Sequence, residues 1–547
     1  MPRKKRSGES ESKPQPSLDF EEVVKSAEIF SREQVVAQAD LKTNVGDYDP
    51  VRQTSEYMQR AVQFEEAWET TIQEARERLL QIDARQLYFD FLEDLKQQIE
   101  NGSPKSNRLV DLLEKVAVQG LGMDRRQIQI ETPLRGGTRW RVSWNAEAVQ
   151  EHLADHIVGD NFLNKIKIDE SSLLPQSFLI GASDVSQHRS AVPVPARFFK
   201  RSVPFVLNNA AGTLFKIESG KPKYDNLFNP KPDETLLRWM LIDPSYQDEL
   251  DGEDYQRCLA SAMDVGQYKF DLEFLLKADK RVSLVFRDGS IFPQDAYLDN
   301  FIVQSKRGEF TREAIRELLN CLSYAKDVGT IYCGVSKNVR LKVFSAVVDW
   351  YIAKHLDNNW EIGNYTLNDG QAMTLLLSSP SFVGSNLNQA VSTCLIKRSF
   401  TTRAALNKKV ASIPELDRYF DNFERNHFGE AGDITPYRAL CKLAHLYMFF
   451  IGHSKSPQQQ LPRYEFFHDE SYGRVNEVAV KILAALQHCG LQIDRDHSFM
   501  SDEPVTYLLP NVIQQAHLLS KDVGKSIDSA TGQWIMSRYK RMLPKAL

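Results

Sequence analysis

The chain lacks any apolar run long enough to cross a bilayer. Its longest, Leu443 to Ile451, has His445 inside it and falls well short of the ~20 residues a membrane helix needs. Cysteine is scarce and scattered. The six (Cys258, Cys321, Cys333, Cys394, Cys441 and Cys489) include no CxxC pair, which argues against a zinc ribbon or a disulfide framework and leaves buried free thiols. There is no excess of positive charge either. With 68 Lys+Arg against 73 Asp+Glu and a formal net charge of -5, no global field draws the whole molecule onto nucleic acid or an acidic membrane. Any anion-binding surface has to be local. An internal repeat is absent too. The N-terminus, MPRKKRSGESESKPQP, is basic but has no apolar signal-peptide core, so cytoplasm is the expected compartment.

What is present is ordinary globular material. The chain has 547 residues, 42% hydrophobic and 26% charged, enough for roughly two to four domains with sizeable cores. Residues 1–18 are Lys-, Arg-, Ser-, Glu- and Pro-rich and cannot offset the entropy of ordering, so a basic tail is expected there. From Ser55 to Glu100, Met58, Val62, Trp68, Ile72, Ala75 and Leu79 recur at helical spacing, predicting one long helix or two. Asn101-Gly102-Ser103-Pro104 ends that pattern, and a further helix is expected over Asn107 to Leu121. Gln127 to Ile130 and Thr138 to Trp144, joined through Pro133 to Gly137, read as a hairpin. Residues 19–165 are thus expected to be an N-terminal helical region with a small β element.

The pattern changes near Phe178. FLIGASD, VSLVFRDGS and TIYCGVSK are short, almost continuous apolar runs ending in polar groups, the signature of strands buried on both faces. Helical patterns over Gln256 to Lys277 and Thr311 to Val328 lie between them, so the fold class expected is layered α/β. The strand signal fades into a helical insertion around 399–455. It returns at Arg463 to Phe467, before a helix from about Arg474 to Leu486 and a last segment, Val505 to Leu519.

Asp184 and Asp288 end the first two apolar runs, where side chains emerge into the crevice that α/β proteins use for ligands. If the strands are neighbours, the two carboxylates repel unless protons or a divalent cation neutralise them. Glu273, in YKFDLEFLLKA, offers a third acid on a partly apolar helix. Three such oxygen donors suit hard cations of the kind that drive phosphodiester hydrolysis. The bland uses of the same residues are turns, N-caps and a solvated helix face. Lys337, with Arg340 and Lys342 following, either meets backbone phosphates or caps a strand in solvent. Near the end, Tyr507 and His517 flank LLPNVIQQA. His517 reads as a metal ligand, a proton donor, a phosphate contact or a packed structural residue. His188, four residues after Asp184, is equally open.

In this order, the strand ending Asp184-Val185-Ser186, the helix carrying Glu273, LVFRDGSIF, GVSK, the RYEF stretch and the final Tyr…Ala-His pattern resemble the NurA nucleases. The resemblance spans Pro175 to Leu519. It implies an RNase H-like central mixed sheet with flanking helices over 166–547. It also implies a manganese- or magnesium-dependent DNase with single-strand endonuclease and 5′ to 3′ exonuclease activity, a homodimer, and a HerA-type hexameric ATPase as partner in end processing or anti-phage defence. Carried over by position, Asp184, Glu273 and Asp288 become the metal-binding acids, Lys337 the basic residue after the third strand, and Tyr507 and His517 the C-terminal catalytic pair; with His517 also read as a ligand and Arg340 as a DNA contact beside Lys337, these make up the expected site. Asp271, Glu253 and Asp254 are alternatives to Glu273. The sequence departs from the family where SDVS replaces Asp-Gly-Ser and where the C-terminal Tyr lacks its usual Pro neighbour. The rival expectation is a catalytically inactive NurA-like subunit that docks a motor or effector, and a third is an RNA-directed hydrolase.

Overall fold

The computed structural model describes residues 69–102, 106–123, 127–131, 140–167, 177–192, 203–218, 234–242, 252–278, 282–292, 306–337, 341–357, 368–377, 389–399, 435–443, 445–452, 461–468, 473–489, 491–496, 505–510 and 512–522, with a few positions between 418 and 425. The expected basic tail and residues 55–68 lie outside them. No helix among the described residues is long and apolar enough to cross a membrane.

Thirteen strands are described: β1 Gln129–Glu131, β2 Arg141–Ser143, β3 Ile157–Lys167, β4 Ser177–Val192, β5 Val203–Glu218, β6 Glu234–Ile242, β7 Val282–Asp288, β8 Ile331–Ser336, β9 Gln389–Ser399, β10 His445–Phe449, β11 Arg463–Phe467, β12 Leu491–Asp496 and β13 Val505–Pro510. Nine form one mixed sheet in the order β3-β9-β10-β11-β8-β7-β4-β5-β6. Only β4-β7 and β7-β8 are parallel, and the other pairs are antiparallel. The α/β expectation holds, with β1-β2 as the expected hairpin.

Six helices matter to the site and its support: α1 Ala84–Glu100, α2 Gly252–Ala278, α3 Lys306–Val328, α4 Val343–His355, α5 Val475–Cys489 and α6, residues 512–522. Both faces of the sheet are covered. On one, Val185, Leu214, Val282, Val285 and Tyr332 pack against Phe270 and Phe274 of α2 and Ile315, Leu318 and Leu322 of α3. On the other, Ile180, Ala182, Leu284, Phe286, Cys333 and Val335 pack against Ile482 and Leu483 of α5 and Val512, Ile513 and Ala516 of α6. The period-2 alternation of strands makes the division consistent: β4 residues 180 and 182 and β7 residues 284 and 286 face α5 and α6, and their neighbours face α2.

Three features of the sheet were not read from the sequence. The stretch between the first two motifs contains the strands β5 and β6, which extend the sheet beyond β4. The stretch treated as a helical insertion contributes β10, a full member of the sheet between β9 and β11, after a helix over Thr435–Leu443. An apolar run as short as LYMFF has no periodicity by which to separate strand from buried helix. Finally, β3 runs across position 165, and residues 71–547 form one compact unit. The preceding helices are tied in by α1, whose Phe91 ring meets Trp350 of α4 at 5.7 Å, while the Trp350 indole donates to Asp94 at 2.9 Å. Within the described part of Ser55 to Glu100 there are two helices, 69–79 and α1, separated where Asp83 accepts from the Gln86 amide and caps α1.

The N-terminus of α4 is held by Asp369, whose fully buried carboxylate accepts from the Val343 and Ser345 amides at 3.0 and 2.8 Å and from the Ser345 hydroxyl at 2.9 Å. Burial pushes this carboxyl up to about 6 in spite of those donors. An acid whose folded pKa lies above its unfolded value stabilises the fold below the unfolded value, and that contribution is lost as pH rises through the folded one. Urea midpoints of the wild type should therefore fall from about pH 4 to above pH 6 by an amount worth about 3 kcal/mol more than in Asp369→Asn. Parallel pH profiles of the two proteins would refute this.

Candidate metal centre

The site is assembled where β7 parts from β4. The two strands run parallel, with Ala182 opposite Phe286 and Ser183 opposite Arg287, so the next step of that register brings Asp184 and Asp288 side by side. Both acids lie on the α5/α6 face, one pleat beyond the buried Ala182 and Phe286. Asp184 is not at the end of its strand, as the sequence suggests, because β4 continues to Val192 paired only with β5.

The last described helix, α6, packs its 512, 513 and 516 side chains into the core on that face, and the same stripe at i+4 and i+7 from 513 delivers His517 and Ser520 over the acids. His517 Nδ1 lies 3.1 Å from Asp184 Oδ2 and 3.7 Å from Asp288 Oδ2. The buried Ser520 hydroxyl donates to the same Asp184 oxygen and also to the His517 carbonyl at 3.0 Å. Lys337 leaves β8 on the face of Cys333 and Val335, and its ammonium donates to Asp288 Oδ2 at 2.7 Å.

Two glycines let the motif strands close on each other. Gly289 follows Asp288 at φ 97, a conformation unfavourable for any side chain, and its amide donates to the Val335 carbonyl at 2.9 Å. A Cβ on Gly334 of β8 would stand 2.7 Å from the Gly289 carbonyl oxygen. The RDGS and GVSK stretches are thus parts of one packed unit.

Electrostatically the two acids divide. Burial pushes both carboxyls up. At Asp184 the hydrogen bond and charge of His517, then the Ser520 hydroxyl and the Lys337 charge, overcome burial and hold the group below the usual carboxylate range. At Asp288 burial, reinforced by the neighbouring Asp184 charge, prevails over Lys337 and His517, and the group stays above it. Asp184 is thus the more readily ionised of the two.

Asp184, Asp288 and His517 offer ligand atoms that all lie within 4.8 Å of one another. Two carboxylates and an imidazole suit a divalent cation that accepts both oxygen and nitrogen donors. The residues present therefore fit a divalent ion. Glu273 is not brought to them. It sits on the solvent side of α2, 43% exposed, in an ion pair with Arg238 of β6, whose Nε donates to it at 2.9 Å. Asp271, the alternative on the same helix, is buried but faces the other side of the sheet, where it accepts from Gln267 at 2.8 Å and from the Tyr332 hydroxyl. Tyr507 lies in β13 opposite Asp494, in a separate two-stranded ladder, and its side chain is outside the described residues, as are the His188 side chain and Arg340. Ser520 was missed from the sequence. Its position three residues after His517, on one helix stripe with Ile513 and Ala516, was the available signal.

Glu273→Gln should leave divalent-cation binding by the full-length protein within about twofold of wild type and cost no more than about 1 kcal/mol, the scale of an exposed pair. A loss of cation binding comparable with that of an Asp288 variant would put Glu273 back at the site.

Two carboxylates and an imidazole at the carboxyl edge of a mixed α/β sheet define a candidate centre for a divalent cation. No protein-family model matches the sequence, and no curated protein matches it. Among solved structures, the chain is similar to one described as "Crystal structure of NurA bound to dAMP and manganese", with a TM-score of 0.26 and 9% identity over 63% of this chain and 85% of that one. It is also similar to "Crystal structure of NurA with manganese", with a TM-score of 0.21 and 11% identity over 65% of this chain and 90% of that one. At these scores the likeness carries no inference about chemistry, which has to be read from this chain's own side chains.

Proposed function

We propose that this chain is a metal-dependent DNA nuclease whose centre is formed by Asp184, Asp288 and His517. The observation that carries the reading is their convergence from three distant segments, with the Lys337 ammonium beside them. Buried acids are costly side by side, and a pair built at a sheet edge under a histidine is better suited to a cation than to packing. A divalent ion held there would neutralise charge on a phosphate and make water more acidic. The residues do the rest. Ser520 and His517 fix the Asp184 carboxylate, which leaves the ligand geometry little freedom. Lys337 supplies positive charge for a neighbouring phosphate oxygen. His517 presents Nδ1 to both acids and would complete the ligand set as a neutral imidazole. DNA as the substrate, single-strand endonuclease and 5′ to 3′ exonuclease action, a homodimer, and a HerA-type hexameric translocase as partner are supported by the LVFRDGS and GVSK resemblance and belong to the same proposal.

The full chain should cut labelled single-stranded DNA with added Mn2+ and stop in EDTA. No cleavage at any Mn2+ level refutes the enzyme. A matched RNA strand cut as fast as DNA transfers the proposal to RNA, since the 2′ hydroxyl is the contact that separates the two.

A further inference from the structure

Lys337 does more in this geometry than sit near a phosphate. Its ammonium, on a side chain only 11% exposed, holds Asp288 Oδ2 at 2.7 Å, and that is the same oxygen that lies 3.7 Å from His517 Nδ1. Its charge also acts on Asp184. One cation of the protein's own thus neutralises the pair that a divalent ion would need. An ammonium and a divalent ion cannot both occupy that oxygen at short range without strong repulsion. Lysine is the residue type that can yield, because its charge rides on a flexible four-carbon stem. Once displaced, the ammonium can pair with an incoming anion.

We propose that Lys337 is an internal counter-ion which an incoming divalent cation displaces, and that a phosphodiester, by accepting the displaced ammonium, couples cation uptake to substrate binding. This rests on the nuclease reading and adds to it a regulation. The centre holds its ion weakly until nucleic acid arrives, and by linkage the ion and the strand raise each other's affinity by the same factor. The coupling also limits adventitious ion loading of the free protein.

The test is Mn2+ binding to the full-length protein, followed by the electron paramagnetic resonance of free Mn2+, with and without a short cleavage-resistant phosphorothioate DNA strand, after subtracting Mn2+ held by the strand alone. In the wild type the strand should tighten Mn2+ binding roughly tenfold, within the usual range of couplings between sites. Lys337→Met should bind Mn2+ about tenfold tighter without DNA and gain little when DNA is added, whereas Lys337→Arg, which keeps the charge, should bind Mn2+ without DNA no more tightly than wild type. Lys337→Gln serves in place of the Met variant should that protein melt early. Wild-type Mn2+ affinity in the neutral variants, or an undiminished response to DNA in them, overturns the counter-ion role. Asp288→Asn separates the two ideas. If it loses Mn2+ while the neutral Lys337 variants fail to gain any, only the counter-ion role falls, and if it binds Mn2+ normally, the site itself is misassigned.

Discussion

Asp184→Asn and Asp288→Asn should each reduce manganese-dependent cleavage by on the order of a thousandfold or more, because groups acting as a unit lose nearly the whole of its effect when one is removed. Retention of single-stranded DNA should hold or improve, since each substitution removes a negative charge from a surface that must accept phosphates. The stability readout makes the prediction specific. His517 and Ser520 favour the ionised Asp184 carboxylate, so a neutral asparagine there forgoes interactions made with the charge, and Asp184→Asn should melt below wild type. At Asp288 burial and the neighbouring Asp184 charge outweigh Lys337, so the ionised group is a net cost to the fold, and an asparagine keeps an acceptor for the Lys337 ammonium. That variant should match or exceed the wild-type midpoint and melt above Asp184→Asn, as expected where strain is kept for function. Either protein cutting DNA at the wild-type rate with manganese present would end the enzymatic reading.

The two acids were legible because the strands carrying them are apolar on both faces, so a charged residue closing such a run has few places to go other than the sheet edge. The adjacency of β4 and β7, which turns two acids into a pair, follows from β5 and β6 lying beyond β4. Those strands were not legible, since β5 passes through Asn-Asn-Ala-Ala-Gly and reads as a loop until paired. His517 is separated from Asp184 by 333 positions, and its alternatives stayed open in sequence because a helix stripe ending in histidine serves packing as well as ligation. On α2 the stripe decided differently. Gln267, Phe270, Asp271, Phe274 and Ala278 share the buried face, and a residue two positions beyond Asp271 lies roughly 200° around the helix, which puts Glu273 in solvent. The hydrophobic period therefore held the answer, while the family pattern pointed to the exposed acid.

Arg287→Met should be the most destabilising single change near the site, by about 3–5 kcal/mol, although the side chain points away from the acids. Arg287 is 4% exposed on the α2 face. Its guanidinium lies 4.3 Å from the Tyr268 ring centroid, donates to the Ile291 carbonyl at 3.2 Å, and stands 3.9 Å from Asp271 and 3.8 Å from Asp264. These ion pairs are long, so the attraction is through charge rather than through hydrogen bonds to the carboxylates. Asp271 in turn is bound by Gln267, which also reaches the Ser183 hydroxyl at 3.4 Å, and the Tyr268 hydroxyl joins Arg287 on the Ile291 carbonyl at 2.6 Å. Ser183 and Arg287 immediately precede the two acids, so one buried network grips both strand ends from behind. Without the arginine, Asp271 is left as a buried carboxyl with no cation. Burial already pushes it up, and losing the arginine raises it further. By linkage, stability in the variant is then retained below the unfolded carboxylate range and lost as pH rises through the new folded value. The deficit in urea should be greater at pH 8 than at pH 5, and Arg287→Met combined with Asp271→Leu should recover much of it, as replacement of a whole buried pair by apolar groups often does. A single variant within about 1 kcal/mol of wild type at pH 8 would show that the network contributes little, and that the strand ends are held by the sheet alone.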